Sequence, residues 1–204
     1  MLLYLVRHGE TGHNRDGLAL GRDDVPLTLA GRRQATAVAE ALGSLPIDIV
    51  LSSPLSRAAD TASTIASRRG ITVQVRGDLT EMDVGETEGL PFSAVRERYP
   101  GLLEQWAGPR AAQVRMPGGE SLADVDVRAG HFLEDLRQID GGHVVAVTHN
   151  FVIRVLLCRL LGIGIDRFRS FGVDLSSVSL VDVGPSRASV VRLNDVCHLG
   201  RLES

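Results

Sequence analysis

Three polar clusters stand at the ends of apolar runs, and their residue types point to anion chemistry. Arg7-His8-Gly9-Glu10-Thr11 follows the run Leu2–Val6, with Asn14 close behind. Ser52-Ser53 follows Ile47–Leu51, with Arg57 a few residues on. Thr148-His149-Asn150 follows His143–Val147. Short continuous apolar runs of this kind read as buried strands. In an open α/β sheet, function gathers in the crevice beyond the carboxyl ends of the strands. The pattern therefore brings two histidines and two arginines to one sheet edge. All 22 basic residues are arginine, so a phosphate or carboxylate here must be held by guanidinium forks, and Schiff-base or P-loop lysine chemistry is excluded.

The elements that must position these groups alternate between strand and helix. Thr28 caps a helix running to about Leu42, with Gly43 as its stop. Ser53 and Pro54 stand as N-cap and first residue of a helix to about Arg69, which puts Arg57 on its first turn. Ile71–Val75 reads as a third strand. Ser121 opens a helix to about Ile139, with Asp124 at capping-box spacing, and Phe151–Leu161 reads as a buried helix. Ser176–Val183 and Ser189–Leu193, joined at Gly184-Pro185, read as an antiparallel edge pair. This order predicts an α/β three-layer sandwich: a mostly parallel central sheet with one antiparallel edge strand and helices on both faces. One domain is expected over residues 1–204. From Asp78 to Glu120, glycines and prolines break the alternation, as expected of an irregular insertion covering a substrate. Gly162-Ile163-Gly164 has no preceding strand and reads as a helix-ending turn.

Composition excludes several classes. Apolar residues make up 44% of 204 and charged residues 23%, ordinary values for a folded globule. No run approaches the roughly 18 apolar residues of a membrane span, and Met1–Val6 is too short for a secretory segment. A soluble, cytoplasmic protein is expected. The net charge of −3, without a basic stripe, argues against nucleic acid as a partner. Cys158 and Cys197 read as reduced packing residues. The antiparallel edge could support a homodimer.

The clusters together resemble the histidine phosphatase superfamily, the phosphoglycerate-mutase-like proteins. The resemblance runs through Leu5-Val6-Arg7-His8-Gly9-Glu10-Thr11-x-x-Asn14, Gly21-Arg22-x-Asp24-x-Pro26-Leu27-Thr28-x-x-Gly31 and Ser52-Ser53-Pro54-Leu55-x-Arg57. It continues through Leu79-x-Glu81-x-x-x-Gly85-x-x-Glu88-Gly89, Pro117-Gly118-Gly119-Glu120-Ser121 and Val147-Thr148-His149. It implies that His8 is a nucleophile forming a phosphohistidine, and that Glu81 is the general acid and base. Arg7, Arg57 and His149 would complete the phosphate pocket, with Asn14, Gly21 and the Asn150 backbone N–H as further contacts. Neither metal nor cofactor is implied. Asn150 stands where the family usually has glycine, and asparagine is the commonest substitute where φ must be positive.

These residue types suit phosphoryl transfer. At about 4 Å and an effective dielectric near 20, each guanidinium–phosphate contact is worth roughly 4 kcal/mol before desolvation. The same charges hold a neighbouring imidazole neutral and nucleophilic. The resemblance leaves three activities: a phosphatase acting on a small phosphorylated metabolite, a cofactor-dependent phosphoglycerate mutase, and a non-catalytic phospholigand-binding module. Mutases tend to carry a basic and aromatic cluster after the acid glutamate. Here Met82-Asp83-Val84 follows, with Glu86 and Glu88, which favours the phosphatase. Glu86 and Glu88 are expected as loop-surface charges and His13 as a rim residue. Trp106, Phe92 and Tyr99 are expected to pack in the insertion or line its pocket, and Arg96, Arg98, Arg110 and Arg115 could reach in. Sugar phosphates, phosphoglycerate derivatives, phosphoserine and ribazole phosphate all remain candidate substrates.

Overall fold

A computed structural model describes residues 1–139 and 141–201. The chain order is β1 (Leu2–Arg7), α1 (Gly12–Asp16), α2 (Leu29–Ala41), β2 (Ile49–Ser52), α3 (Ser56–Ser67), β3 (Val73–Val75), α4 (Phe92–Arg98) and α5 (Leu102–Ala107). It continues with α6 (Leu122–Leu136), β4 (His143–Thr148), α7 (Asn150–Leu160), β5 (Val178–Val183) and β6 (Ala188–Asp195). The strands form one six-stranded sheet in the order β3-β2-β4-β1-β5-β6. β1, β2, β3 and β4 pair in parallel; β5 is antiparallel to both β1 and β6. The expected α/β sandwich and its antiparallel edge pair are present, and β5 is the strand that runs against the rest.

The apolar runs are buried because helices cover both faces of the sheet. Leu3, Leu5, Val144 and Ala146 point to one side, where they pack with Val125, Phe132, Val152 and Leu156 of α6 and α7. Tyr4, Val6, Val145 and Val147 point to the other, against Val38, Ala39, Ala58 and Ile65 of α2 and α3. Each fully buried large side chain contributes roughly 1.5–3 kcal/mol. Among the described residues no helix is long and apolar enough to cross a membrane.

Register places the two histidines side by side. β1 and β4 are adjacent and parallel with Arg7 opposite Thr148, and the next residues are His8 and His149. The His8 N–H donates to the Thr148 carbonyl at 3.1 Å, and the Ser53 N–H to the Val147 carbonyl at 3.0 Å. The ends of β1, β4 and β2 thus lie level. The loop after β1 then runs against α2, where a methyl on Gly31 would overlap the Glu10 backbone; only glycine permits that approach.

Several boundaries differ from expectation. Helix α3 starts at Ser56, two residues after Pro54, and its N-cap Leu55 makes no side-chain cap bond. Ser53 is diverted: its Oγ accepts the Leu55 N–H at 3.3 Å and bonds the His149 ring at 2.7 Å. The cap comes from elsewhere in the chain, as Asp24 Oδ1 accepts the Ser56 N–H at 2.7 Å. The capping box of Ser121 with Asp124 and the Thr28 cap are as expected. Gly162, at φ +65°, ends α7 as anticipated. The irregular stretch holds two short helices, α4 and α5, which its glycines and prolines conceal.

Candidate active site

The tautomer of His8 is dictated by its backbone neighbour. His8 is 3% exposed, and its Nδ1 lies 2.7 Å from the Gly9 carbonyl oxygen. A carbonyl only accepts, so Nδ1 carries the proton and Nε2 keeps the lone pair. Burial first, and then the charges of Arg7 and Arg57, push the His8 pKa well below 6.5. The ring is therefore neutral at ordinary pH, with the Nε2 lone pair available.

His149 follows β4 as the N-cap residue of α7; its ring centroid is 5.1 Å from that of His8. Its Nε2 takes the Ser53 hydroxyl as partner. In the tautomer where the Ser53 hydroxyl donates to Nε2, the His149 proton resides on Nδ1. Burial, then His8 and the two arginines, lower its pKa as well.

The arginines are gripped by carbonyls. Arg7 donates to the Val173 carbonyl at 2.7 Å, and burial lowers its pKa to about 10, so it remains a cation at neutral pH. Arg57 is fully buried and donates to the carbonyls of Asp23 at 2.7 Å and Gly21 at 2.5 Å. Arg7 Nε, Arg57 Nε and His149 Nδ1 are buried and have no hydrogen-bond partner among the described residues. Leaving such a donor unpaired costs about 1–3 kcal/mol, and more when it is charged. Two guanidinium N–H groups and one ring nitrogen, all buried and unpaired near a neutral imidazole, suit an anion with several oxygens.

Glu81 is 3% exposed. Its Oε1 accepts the Met82 N–H at 2.8 Å and its Oε2 the Phe151 N–H at 3.2 Å. Burial raises its pKa, against the lowering effect of those two N–H groups, Arg57 and Arg128. Thr148 Oγ donates to the Leu79 carbonyl at 2.6 Å, and Arg128 donates to the carbonyls of Asp78 and Thr80. The segment bearing Glu81 is thereby tied to β4 and α6.

Asn14 and Asn150 both line the cavity in front of His8. Asn14 Oδ1 accepts from the Thr11 N–H and hydroxyl at 3.2 and 2.9 Å. Asn150 Oδ1 accepts from Arg154 Nε at 2.9 Å. With both oxygens engaged, each Nδ2 remains as a donor. Asn150 is the first residue of α7 and has no positive φ, so the backbone reason for asparagine does not apply.

Gly21, expected among the phosphate contacts, is placed otherwise. Its N–H donates to Glu88 Oε1 at 2.5 Å and its carbonyl holds Arg57. Glu88, expected as a surface charge, also accepts the Arg22 N–H at 2.8 Å. It is a clamp on the loop that holds Arg57, and its place in the Glu81-to-Gly89 motif was the available signal. Glu86 is exposed and accepts the Tyr99 hydroxyl at 2.6 Å. Phe92 and Trp106 line the cavity; Tyr99, Arg96, Arg98, Arg110 and Arg115 do not. Arg98 pairs with Glu86 and Arg115 with Asp124.

A six-stranded α/β sandwich with this pair of histidines at adjacent strand ends defines a class. The chain belongs to the histidine phosphatase superfamily (branch 1), whose family model matches residues 3–196. It is an enzyme of the phosphomonoester hydrolase type. It is 36% identical over 97% of its length, and 94% of the relative, to Phosphoserine phosphatase 1 of Hydrogenobacter thermophilus. It is 32% identical to "Probable phosphoglycerate mutase GpmB" of Salmonella choleraesuis over 97% of this chain and 94% of that one. Among solved structures, the alpha-ribazole phosphatase from Shigella flexneri superposes with a TM-score of 0.87 at 30% identity, covering 96% of each chain.

Proposed function

We propose that the chain hydrolyses a small phosphomonoester in two steps, with His8 as nucleophile and Glu81 as acid and then base. The phosphoryl group of the bound dianion faces Arg7 Nε, Arg57 Nε, His149 Nδ1 and the Nδ2 of Asn14 and Asn150. In the first step His8 Nε2 forms a bond to phosphorus as the ester P–O bond breaks. The leaving oxygen takes the proton held by Glu81 and departs as the alcohol. Nδ1 keeps its proton on the Gly9 carbonyl, which stabilises the positive charge of the phosphorylated ring. In the second step water attacks phosphorus, its proton passes to the Glu81 carboxylate, and the P–N bond breaks to release phosphate and neutral His8.

Such transition states are loose, so placement and charge stabilisation carry most of the rate. The observation that carries this reading is the neutral His8 with Nε2 as its lone-pair atom, beside three buried, unpaired nitrogens of Arg7, Arg57 and His149. Residues 78–120 belong in this reading to the same single domain and cover the pocket. Phosphatase is favoured over mutase because none of the segment's arginines lines the cavity, which leaves a phosphorylated acid nothing to anchor it for return of the phosphoryl group. The test is phosphate release from a panel of monoesters beside a phosphoglycerate interconversion assay primed with bisphosphoglycerate. Release without interconversion is expected; interconversion outpacing release would make the chain a mutase.

A further inference from the structure

Beyond its phosphate end, the cavity changes character. It measures about 300 Å³, at the lower end of the range for small-molecule sites. Among the described residues Arg7 and Glu81 are its only charged lining side chains, and the proposed mechanism commits both to the phosphoryl group and the leaving oxygen. The rest of the wall is dominated by groups such as Leu18, Leu20, Val95, Trp106 and Phe151. Trp106 meets Phe151 edge-on at 5.7 Å and packs on Phe168 at 5.6 Å, which makes a fixed aromatic corner. Arg154 and Arg169 stand nearby without lining the cavity: Arg154 donates to Asn150 and the Phe168 carbonyl, and Arg169 lies over Phe168 at 4.4 Å and over Trp106 at 5.7 Å. Phe92 also lines the cavity, yet is 61% exposed, so an apolar guest would cover a ring that now faces water.

Resting on the phosphatase reading, we infer that the substrate is the phosphomonoester of an uncharged, largely apolar alcohol, aromatic in its best form, and not of a phosphorylated acid. A carboxylate placed in this cavity would lose its hydration and find, among the described residues, no cation in the wall beyond the Arg7 that holds the phosphoryl group. An aromatic or branched aliphatic group would instead fill the corner made by Trp106, Phe151 and Phe92.

The test compares kcat/KM for matched alkyl esters, so that leaving-group acidity stays constant: phenethyl phosphate against 3-(phosphooxy)propanoate and phosphoserine. The phenethyl ester is expected to lead by a hundredfold or more, mainly through KM. Equal or better turnover of the acids overturns the inference while leaving the phosphatase reading intact. Failure to cleave any ester, p-nitrophenyl phosphate included, overturns both. Phe92→Arg, at a position 61% exposed, should narrow the preference about tenfold by weakening the phenethyl ester and helping the acids. An unchanged ratio in a variant with wild-type melting behaviour would overturn the assigned seat of the leaving group.

Discussion

Replacing Glu81 by glutamine removes the transferable proton while nearly preserving shape, and its two consequences can be measured apart. Glu81 uses both oxygens as acceptors, for Met82 N–H at 2.8 Å and Phe151 N–H at 3.2 Å. Glutamine retains one acceptor. With its oxygen kept on the shorter bond, its NH2 group faces the Phe151 N–H, and one buried pair is lost at a cost of about 1–3 kcal/mol. For a chain of this size each kcal/mol lowers Tm by roughly 2–4 °C, so a modest drop is expected. Loss of general acid catalysis removes about 10²–10⁴ in rate, or about 2.7–5.4 kcal/mol at 1.36 kcal/mol per tenfold. The assay is kcat/KM, which stops at the first irreversible step and so reports phosphorylation of His8 alone. Alkyl esters should lose the full factor, whereas p-nitrophenyl phosphate, whose leaving group needs little protonation, should lose less than tenfold. Wild-type activity on alkyl esters should also fall on the alkaline side as Glu81, raised by burial, finally ionises, and the variant should lack that limb. Equal losses on both ester classes would remove Glu81 from the acid role.

Two further outcomes follow from the same contacts. His8 and His149 have pKa values well below the ordinary 6.5 in the folded chain, so below that pH the unfolded chain binds more protons. Stability should be full above about pH 6.5 and fall on acidification, with a slope approaching about 2.7 kcal/mol per pH unit from the two together. The raised pKa of Glu81 works in the opposite sense and offsets part of this slope. Urea midpoints between pH 7.5 and 5 measure the net, and a midpoint that rises as the pH falls would contradict it. Glu88→Gln should loosen the Gly21–Asp23 loop that grips Arg57 and weaken inhibition by inorganic phosphate about tenfold, an effect of one to two kcal/mol. An unchanged inhibition constant would show that Arg57 is held without the clamp.

Much of this architecture is local information. Strands β1 and β4 are legible as apolar runs because both of their faces are covered, and the Thr28 and Ser121 caps because each partner sits three residues on. What escaped is nonlocal. Ser53 reads as an N-cap until its hydroxyl is claimed by a histidine 96 positions away. Asp24 caps α3 across 32 positions, and Glu88 reaches back 67 to Gly21. Helices α4 and α5 are 7 and 6 residues long, too short for periodicity or propensity to show, and held by packing on the core. The motif around Glu81 named the carboxylate; it gave no sign of Thr148 and Arg128, which hold its segment, because those bonds cross from β4 and α6.

The central claim is a covalent one, that Nε2 of His8 carries the phosphoryl group during turnover. Rapid mixing with labelled ester, followed by an alkaline denaturing quench that preserves P–N bonds, measures it directly. The account predicts a burst of label on the peptide containing His8, at the ring nitrogen that does not face Gly9, and none in His8→Ala. Full turnover with no label on the chain, or with label on another residue, would contradict it.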